Sequence, residues 1–176
     1  MGLFDRFKKQ AASAAGAAAG AAAAGAPLTL ATPVAGTVIA MAEVPDPAFG
    51  GELLGRGCAV WPEAETAVAP ASGTVSVVMP HAVGITADNG AEVLVHVGID
   101  TVGMQGDGFA GHVAQGQHVD AGQALIDFDR AKIKAAGHED CVVLAVSNSA
   151  DFAAVDMVPA PGVTVASGDT VLTLAK

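Results

Sequence analysis

Aromatic and basic side chains are scarce in this chain of 176 residues, which has one Trp, no Tyr and only 4% aromatic residues. A hydrophobic core must therefore be built mainly from Val, Leu, Ile and Ala. The chain has eight Lys and Arg residues and eighteen Asp and Glu residues, which gives a net charge of −10. Such a surface repels nucleic acid and attracts a basic protein partner, although the same charge also serves solubility alone. We therefore expect no nucleic-acid partner.

Cysteines and long apolar runs are also few. Cys58 and Cys141 are the two cysteines, and they are too far apart in sequence to form a metal-binding motif. We expect both thiols to be reduced and buried, as in a cytosolic protein. Residues 11–26 are almost entirely Ala and Gly, so this tract lacks the apolar side chains of a transmembrane helix. The sequence thus indicates a cytoplasmic protein.

Residues 1–10 form a basic amphipathic leader, with Leu3, Phe4 and Phe7 at helical spacing. Such a segment can lie on an anionic membrane surface, which would place the protein peripherally at the inner membrane face. A helix this short is marginal in water, so a disordered tail is the alternative. A secretory signal is disfavoured by the acidic Asp5 near the start and by an apolar middle without leucine.

Residues 11–26 are predicted to be an Ala/Gly-rich linker, and residues 27–176 a single domain. Its 22 Gly and nine Pro favour turns between short strands. Residues 31–38 resemble residues 69–75, and residues 113–125 resemble residues 163–172. The sequence therefore predicts an all-β fold, a compact antiparallel β-sandwich with pseudo-repeated halves and one or two short helices.

Two other elements of the domain are readable from local pattern. Asp129 is a suitable N-cap for a helix over residues 130–136, and Gly137 follows where a left-handed C-terminal residue belongs. A second helical turn is expected near residues 149–155. Residues 141–146 are continuously apolar, which predicts a buried strand.

Two histidines are the candidate chemical groups. Residues 91–97 read as a strand with apolar side chains on one face, so that His96 points to the other face, directly before Gly98. Fifteen residues upstream, His81 lies in a turn-like segment, Met79-Pro80-His81. Two imidazoles on neighbouring β elements could face one small anion, a geometry that suits relay of a phosphoryl group.

Several segments occur in an order typical of one family, and they are Val44-Pro45-Asp46, Gly55-Arg56-Gly57, Val68 to Val75, Pro80-His81-Ala82, Val95 to Val102 and Gly106-Asp107-Gly108-Phe109. Together they resemble the glucose-type IIA component of the bacterial phosphoenolpyruvate-dependent sugar phosphotransferase system. The resemblance extends from about Thr32 to Leu174. It implies a phosphotransferase that works through a phosphohistidine intermediate, without a cofactor or a metal.

The resemblance also implies roles for particular residues and partners. His96 would accept the phosphoryl group from the histidine-containing phosphocarrier protein, with His81 orienting it, and a cysteine of a sugar-specific IIB domain of a IIB/IIC permease would receive it. Asp46, Phe49 and Asp100 would lie at the docking rim. The family tends to carry Phe at the positions of Val83 and Leu94, so partner contact is expected to rest on these smaller side chains. The family usually has Thr at the position of Met79, which offers no hydrogen-bond donor.

Three other classes of protein are alternatives, and two of them require particular residues. A zinc metallopeptidase on a related β-sandwich needs a third protein ligand, and neither Leu94 nor Gly98 supplies a second imidazole beside His96. A biotinyl or lipoyl carrier needs a lysine at a hairpin tip, and none of the lysines lies in such a turn. A non-catalytic regulatory binding protein, whose phosphorylation state selects its partners, remains compatible with the sequence.

Overall fold

The computed structural model describes residues 28–176, so the predicted leader and linker lie outside the described residues. The strands are β1 Leu28–Ala31, β2 Gly36–Ala40, β3 Arg56–Pro62, β4 Thr66–Val68, β5 Gly73–Met79, β6 Ala82–Ala87, β7 Glu92–Val97, β8 Phe109–Gly111, β9 His118–Val119, β10 Ala124–Phe128, β11 Val142–Val146, β12 Ala154–Met157, β13 Thr164–Val165 and β14 Thr170–Ala175. The helices are α1 Pro47–Gly50 and α2 Arg130–Ala135, with 3₁₀ turns at Met41–Glu43, Thr101–Met104 and Ser149–Asp151.

The strands form one large and two small antiparallel sheets. The large sheet has eight strands in the order β13-β2-β3-β11-β7-β6-β5-β9, and the small sheets have the orders β1-β14-β12 and β4-β10-β8. Outward from the central β11–β7 pair, β3, β2 and β13 on one side mirror β6, β5 and β9 on the other. This arrangement confirms the predicted antiparallel β-sandwich with pseudo-repeated halves.

The repeated sequence segments begin equivalent strands. Gly36 opens β2 and Gly73 opens β5. A Cβ atom at Gly36 would lie 2.0 Å from the backbone oxygen of Trp61, and one at Gly73 would lie 2.4 Å from that of Thr86. Only glycine permits so close an approach of the neighbouring strand, which explains why each repeat carries Gly at this position.

The large sheet is covered on both faces. One face packs against the small sheets, and Val93, Val95 and Val97 of β7 point into that core. The opposite face carries a second apolar group, called the outer cluster here, which consists of Ile39, Met41, Val44, Phe49, Ala59, Ala82, Leu94, Ile99, Cys141, Val143 and Ala145. His96 alternates with the inward valines and therefore lies on the face of the outer cluster, as the sequence pattern predicts.

The predicted helix and buried strand are also present. The Asp129 carboxylate accepts a hydrogen bond from the Lys132 backbone N–H at 2.9 Å, and Gly137 follows α2 with a φ of +84°. β11 is buried at every position. The second predicted helical turn is the short 3₁₀ segment Ser149–Asp151. None of the helices described between residues 28 and 176 is long and apolar enough to cross a membrane.

Candidate functional site

His96 lies near the end of β7, at the centre of the large sheet. Its neighbours across the sheet are Ala82 on β6 and Val143 on β11. The methyl side chain of Ala82 leaves room beside the imidazole, whereas a larger side chain at that register position would fill it. The strand therefore fixes the His96 backbone on both sides while one side of the ring stays open to a neighbour.

That neighbour is His81, which lies at the tip of the hairpin between β5 and β6. Pro80 and His81 are the two turn residues between Met79 and Ala82, which pair with each other. The backbone oxygen of His81 accepts a hydrogen bond from the Val97 N–H at 2.8 Å, which ties the hairpin tip to the end of β7. The ring centroids of His81 and His96 lie 4.9 Å apart, with the rings inclined at 77°. The structure thus brings together the two histidines that the sequence singled out.

Two phenylalanines flank the histidine pair. The Phe49 ring meets His96 edge to face, with centroids 5.0 Å apart, and the Phe109 ring lies 6.5 Å from that of His81. Phe49 is positioned by α1, where the Asp46 carboxylate accepts hydrogen bonds from the Ala48 and Phe49 backbone N–H groups at 2.8 and 3.0 Å. Asp46 is therefore the N-cap of the helix that places Phe49 against His96.

The residues after His96, 97–101, form a tight turn that we call the acceptor loop. Gly98 has a φ of +75°, and a Cβ atom there would lie 2.4 Å from Thr101 Cγ2. The Gly98 N–H donates to the Cys141 backbone oxygen at 2.8 Å, so this group is already engaged within the fold. The Thr101 hydroxyl donates to the Val97 backbone oxygen at 2.6 Å and closes the turn.

Burial keeps both imidazoles neutral. Loss of hydration, with a smaller contribution from the nearby His81, lowers the pKa of His96 to about 3, although the Gly98 backbone opposes the shift. Burial also lowers the pKa of His81. A desolvated imidazole favours its uncharged form, so both rings keep a free lone pair at neutral pH.

The pair also contains unused hydrogen-bonding capacity. In the part of the chain that the structure describes, His81 Nε2 and His96 Nδ1 are the two buried side-chain nitrogen or oxygen atoms without a hydrogen-bond partner. The Gly98 backbone lies near enough to His96 to influence its pKa, but no contact at Nδ1 has hydrogen-bond geometry. Buried polar atoms in folded proteins are almost always paired, so two exceptions side by side indicate a site prepared for a ligand.

The residues predicted to meet a partner fall into two groups. Asp100 is exposed in the acceptor loop with a left-handed φ of +57°, and Asp46 is partly exposed. Phe49, Val83 and Leu94 are in the interior, with exposed fractions of 2%, 1% and 2%. These three side chains offer no surface to a partner in this conformation, and a role for them in partner contact stays a prediction. Phe49 and Leu94 belong to the outer cluster, and Val83 to the core below the sheet.

Some residues of the site had no predicted role. Phe109 ends the motif Gly106-Asp107-Gly108-Phe109, and the sequence indicates no role for it, although its ring packs beside His81. The α1 helix was missed, although Asp46 followed by Pro47 is a readable helix start. Met79, in place of the family's Thr, is partly buried against the outer cluster, so its contribution is packing. Asp140 is buried beside the acceptor loop, and nothing in its local sequence indicates this.

The cysteine and lysine side chains do not fit the alternative chemistries. Cys58 and Cys141 are both free and buried, and burial raises the pKa of each thiol to about 12. Within residues 28–176, no three His, Cys, Asp or Glu side chains converge as metal ligands would. Lys132 and Lys134 lie in α2 rather than at a hairpin tip.

A sandwich with a buried histidine pair at the end of a central strand defines a class of protein, and comparison with known proteins agrees with it. Residues 28–152 match the family model for the phosphoenolpyruvate-dependent sugar phosphotransferase system, EIIA 1. The glucose-specific EIIA component of Bacillus anthracis is 39% identical, over 81% of this chain and 86% of that protein. The solved glucose permease IIA from Mycoplasma capricolum is 32% identical, with a TM-score of 0.72 over 85% of this chain and 96% of that one.

The chain belongs to this EIIA family, which confirms the resemblance seen in the sequence. It also matches parts of much longer proteins. The raffinose carrier protein of Pediococcus pentosaceus is 43% identical over 84% of this chain, but the match spans 23% of that carrier. The mannose-specific EIIBCA component of Corynebacterium glutamicum is 43% identical, and the match spans 20% of its length.

The neutral state of His96 predicts a particular loss of stability in acid. The unfolded chain protonates a histidine near pH 6.5, whereas folded His96 resists protonation down to about pH 3. Between these values the unfolded state binds more protons, so the free energy of unfolding falls as the pH falls. Between pH 6.5 and 4.5 we expect wild type to lose about 2 kcal/mol more than His96→Gln, which cannot titrate.

Urea unfolding at several pH values measures this difference. His118→Gln, which removes a half-exposed histidine, is the control and should follow the wild-type profile. Parallel profiles for wild type and His96→Gln would show that His96 is not held neutral by the fold.

Proposed function

We propose that this chain is a phosphocarrier of the sugar phosphotransferase system, in which His96 accepts a phosphoryl group from the histidine-containing phosphocarrier protein and passes it to a cysteine of a sugar-specific IIB domain. The observation that supports this most directly is the buried, neutral pair of His81 and His96 with its two unpartnered ring nitrogens. Family membership supplies the reaction class. The transfer uses a phosphohistidine intermediate and needs no cofactor.

Nε2 of His96 is the proposed acceptor atom. Nδ1 of the same ring is buried without a hydrogen-bond partner. The Gly98 backbone raises the pKa of His96, which is the effect of a carbonyl oxygen near a ring N–H. This favours the tautomer with the proton on Nδ1 and the lone pair on Nε2. The low pKa keeps that lone pair available at any physiological pH.

His81 is proposed to hold the transferred group. Its Nε2 is buried without a partner, beside the ring that receives phosphate. An unsatisfied buried donor costs on the order of 1–3 kcal/mol, and a hydrogen bond to a phosphoryl oxygen removes that cost. A nearby negative phosphoryl group also favours the protonated form of His81, whose charged N–H is a stronger hydrogen-bond donor. His81 thus favours the phosphorylated state without forming a covalent bond.

The transfer balances without an added base. The His96 Nε2 lone pair forms the new N–P bond while the donor's N–P bond breaks, and its electron pair returns to the donor imidazole. In the second step a cysteine thiolate of the IIB domain forms an S–P bond, and the His96 N–P bond breaks. Both steps are in-line displacements whose catalysis is mainly positioning and charge stabilisation.

A docking face surrounds the histidine pair. Leu53 and Val102 are large apolar side chains with exposed fractions of 73% and 45%. Leu53 follows α1, and Val102 directly follows Thr101, the last residue of the acceptor loop. An apolar patch with acidic residues such as Asp46 and Asp100 suits a partner with a basic rim.

The comparisons support a IIB/IIC permease as the acceptor, because several relatives are named as single EIIBCA or EIICBA components. Relatives of this kind are named for mannose, β-glucosides and glucose, and a further relative is named a raffinose carrier protein. Different sugar names on similar EIIA regions are expected if the permease selects the sugar. A cytoplasmic location, with residues 1–10 touching the inner membrane face, stays a prediction from the sequence.

Substitution of each histidine tests the assigned roles. His96→Ala removes the acceptor nitrogen, so we expect no phosphorylation. His81→Gln should still accept phosphate but donate it poorly to the IIB partner, because the Gln amide is a neutral donor that cannot gain a proton beside the phosphoryl group as the His81 ring can. Transfer of labelled phosphate from phosphoenolpyruvate through the general phosphotransferase proteins measures both steps. His112→Gln, at an exposed histidine away from the pair, should match wild type, and full labelling of His96→Ala would end the assignment.

The docking face is tested by adding charge to it. Val102→Asp places a carboxylate in the apolar patch and should raise the KM for the phosphocarrier donor roughly tenfold, because a truncated or charged contact there costs on the order of 1–2 kcal/mol. Val158→Asp is the matched control, since Val158 is 54% exposed but follows β12 in a small sheet on the other side of the sandwich. Equal KM values for the two variants would place the docking face elsewhere.

A further inference from the structure

Buried polar side chains are concentrated around the acceptor loop. Within residues 28–176, five polar or charged residues are buried, and Thr32 alone lies elsewhere. The other four are His81, His96, Thr101 and Asp140. The first two are the proposed relay, and Thr101 closes the acceptor loop. Asp140 is the one carboxylate among them, and the phosphocarrier mechanism described above gives it no role.

The charge of Asp140 is compensated by α2. Arg130 Nε donates to Asp140 Oδ2 at 2.7 Å, and Lys134 Nζ lies 3.7 Å from the same oxygen. Arg130 and Lys134 are four residues apart, so they project from one face of the helix. Ile133 of the same helix is fully buried and anchors it to the core. The Asp140 side chain is only 4% exposed, whereas those of Arg130 and Lys134 are 31% and 60% exposed, so a buried carboxylate is paired with two cations that reach solvent.

The two peptide groups beside Asp140 hold the acceptor loop. The Cys141 backbone oxygen accepts from the Gly98 N–H at 2.8 Å, and the Glu139 backbone oxygen accepts from the Ile99 N–H at 2.9 Å. A Cβ atom at Gly98 would come within 3.1 Å of that Glu139 oxygen. Residues 139–141 therefore hold the acceptor loop, which follows the end of β7, through these two backbone hydrogen bonds.

From these contacts we infer that Asp140 is a positioning residue for phosphoryl transfer, an inference that rests on the proposed phosphocarrier function. Its ion pair with Arg130 and Lys134 fixes residues 139–141, and their carbonyl oxygens fix Gly98 and Ile99. His96 lies two residues before Gly98, so these hydrogen bonds also set the orientation of the acceptor ring toward His81. Asp140 acts through these backbone contacts and does not contact the reacting ring nitrogens or the phosphoryl group.

A purely stabilising role is the competing explanation. Buried ion pairs are weak contributors to stability, because desolvation of both charges offsets their attraction. In some proteins such groups specify one arrangement of the surrounding chain. The location of this pair, beside the loop that holds His96 rather than among the small sheets, favours a geometric role.

Single-turnover phosphorylation of full-length variants tests the inference. Asp140→Ala should lower the rate constant for phosphate acceptance roughly ten- to hundredfold, because small misplacements of a reacting group have effects of that size. The KM for the phosphocarrier donor should stay near wild type, since the docking face is unchanged. Asp140→Asn keeps an oxygen for the Arg130 N–H and should restore part of the rate. NMR signals of the His96 ring nitrogens should shift in Asp140→Ala.

The control separates positioning from stability. Leu172→Ala lies in β14, where Leu172 is buried in the core on the other side of the sheet. Below the melting midpoint of both variants, Leu172→Ala should keep the wild-type rate and the wild-type ring signals. Equal rate losses in Leu172→Ala and Asp140→Ala would overturn the inference, and so would normal transfer with unchanged ring signals in Asp140→Ala.

If Asp140→Ala does not fold, an unaltered rate in Asp140→Asn and Lys134→Ala overturns the inference instead. Absence of phosphorylation in wild type would contradict the proposed function itself.

Discussion

Desolvation of the His96 imidazole is the constraint on which the site depends. The ring lies on a central strand whose other face is closed by the main core, and Phe49 covers it from α1. Enclosure lowers the pKa of His96 to about 3 and keeps its lone pair free. The same enclosure leaves His81 Nε2 and His96 Nδ1 without partners. A phosphoryl group on His96 Nε2 would supply the missing partner of His81 Nε2, so part of this unfavourable arrangement would be relieved when the site is phosphorylated.

Local pattern predicted much of the architecture. The alternation along β7 placed His96 opposite the inward valines, and the cap residues Asp129 and Gly137 marked both ends of α2. The similarity of residues 31–38 to residues 69–75 indicated the pseudo-symmetric sheet, because each segment begins an equivalent strand. These features follow from residue propensity and periodicity, which act over a few neighbouring residues and can be read without a structure.

Burial that depends on distant segments was not predictable. Phe49 and Leu94 were expected at a docking rim, but the outer cluster closes over both, and its members come from segments far apart in sequence. Val83 pairs with Val95 between β6 and β7, so both side chains face the main core. Asp140 reads as a surface acid until α2 is seen to supply Arg130 beside it. Sequence thus located the two histidines but not the groups that hold them.

In the proposed mechanism, His96 Nε2 carries the phosphoryl group while His81 holds it. Incubation of the chain with phosphoenolpyruvate and the two general phosphotransferase proteins, followed by intact mass and NMR of the ring nitrogens, tests both assignments. We expect one added phosphoryl group, a phosphorus-coupled signal at His96 Nε2, and a His81 ring that gains a hydrogen bond. Phosphate on another residue, or at His96 Nδ1, would contradict it.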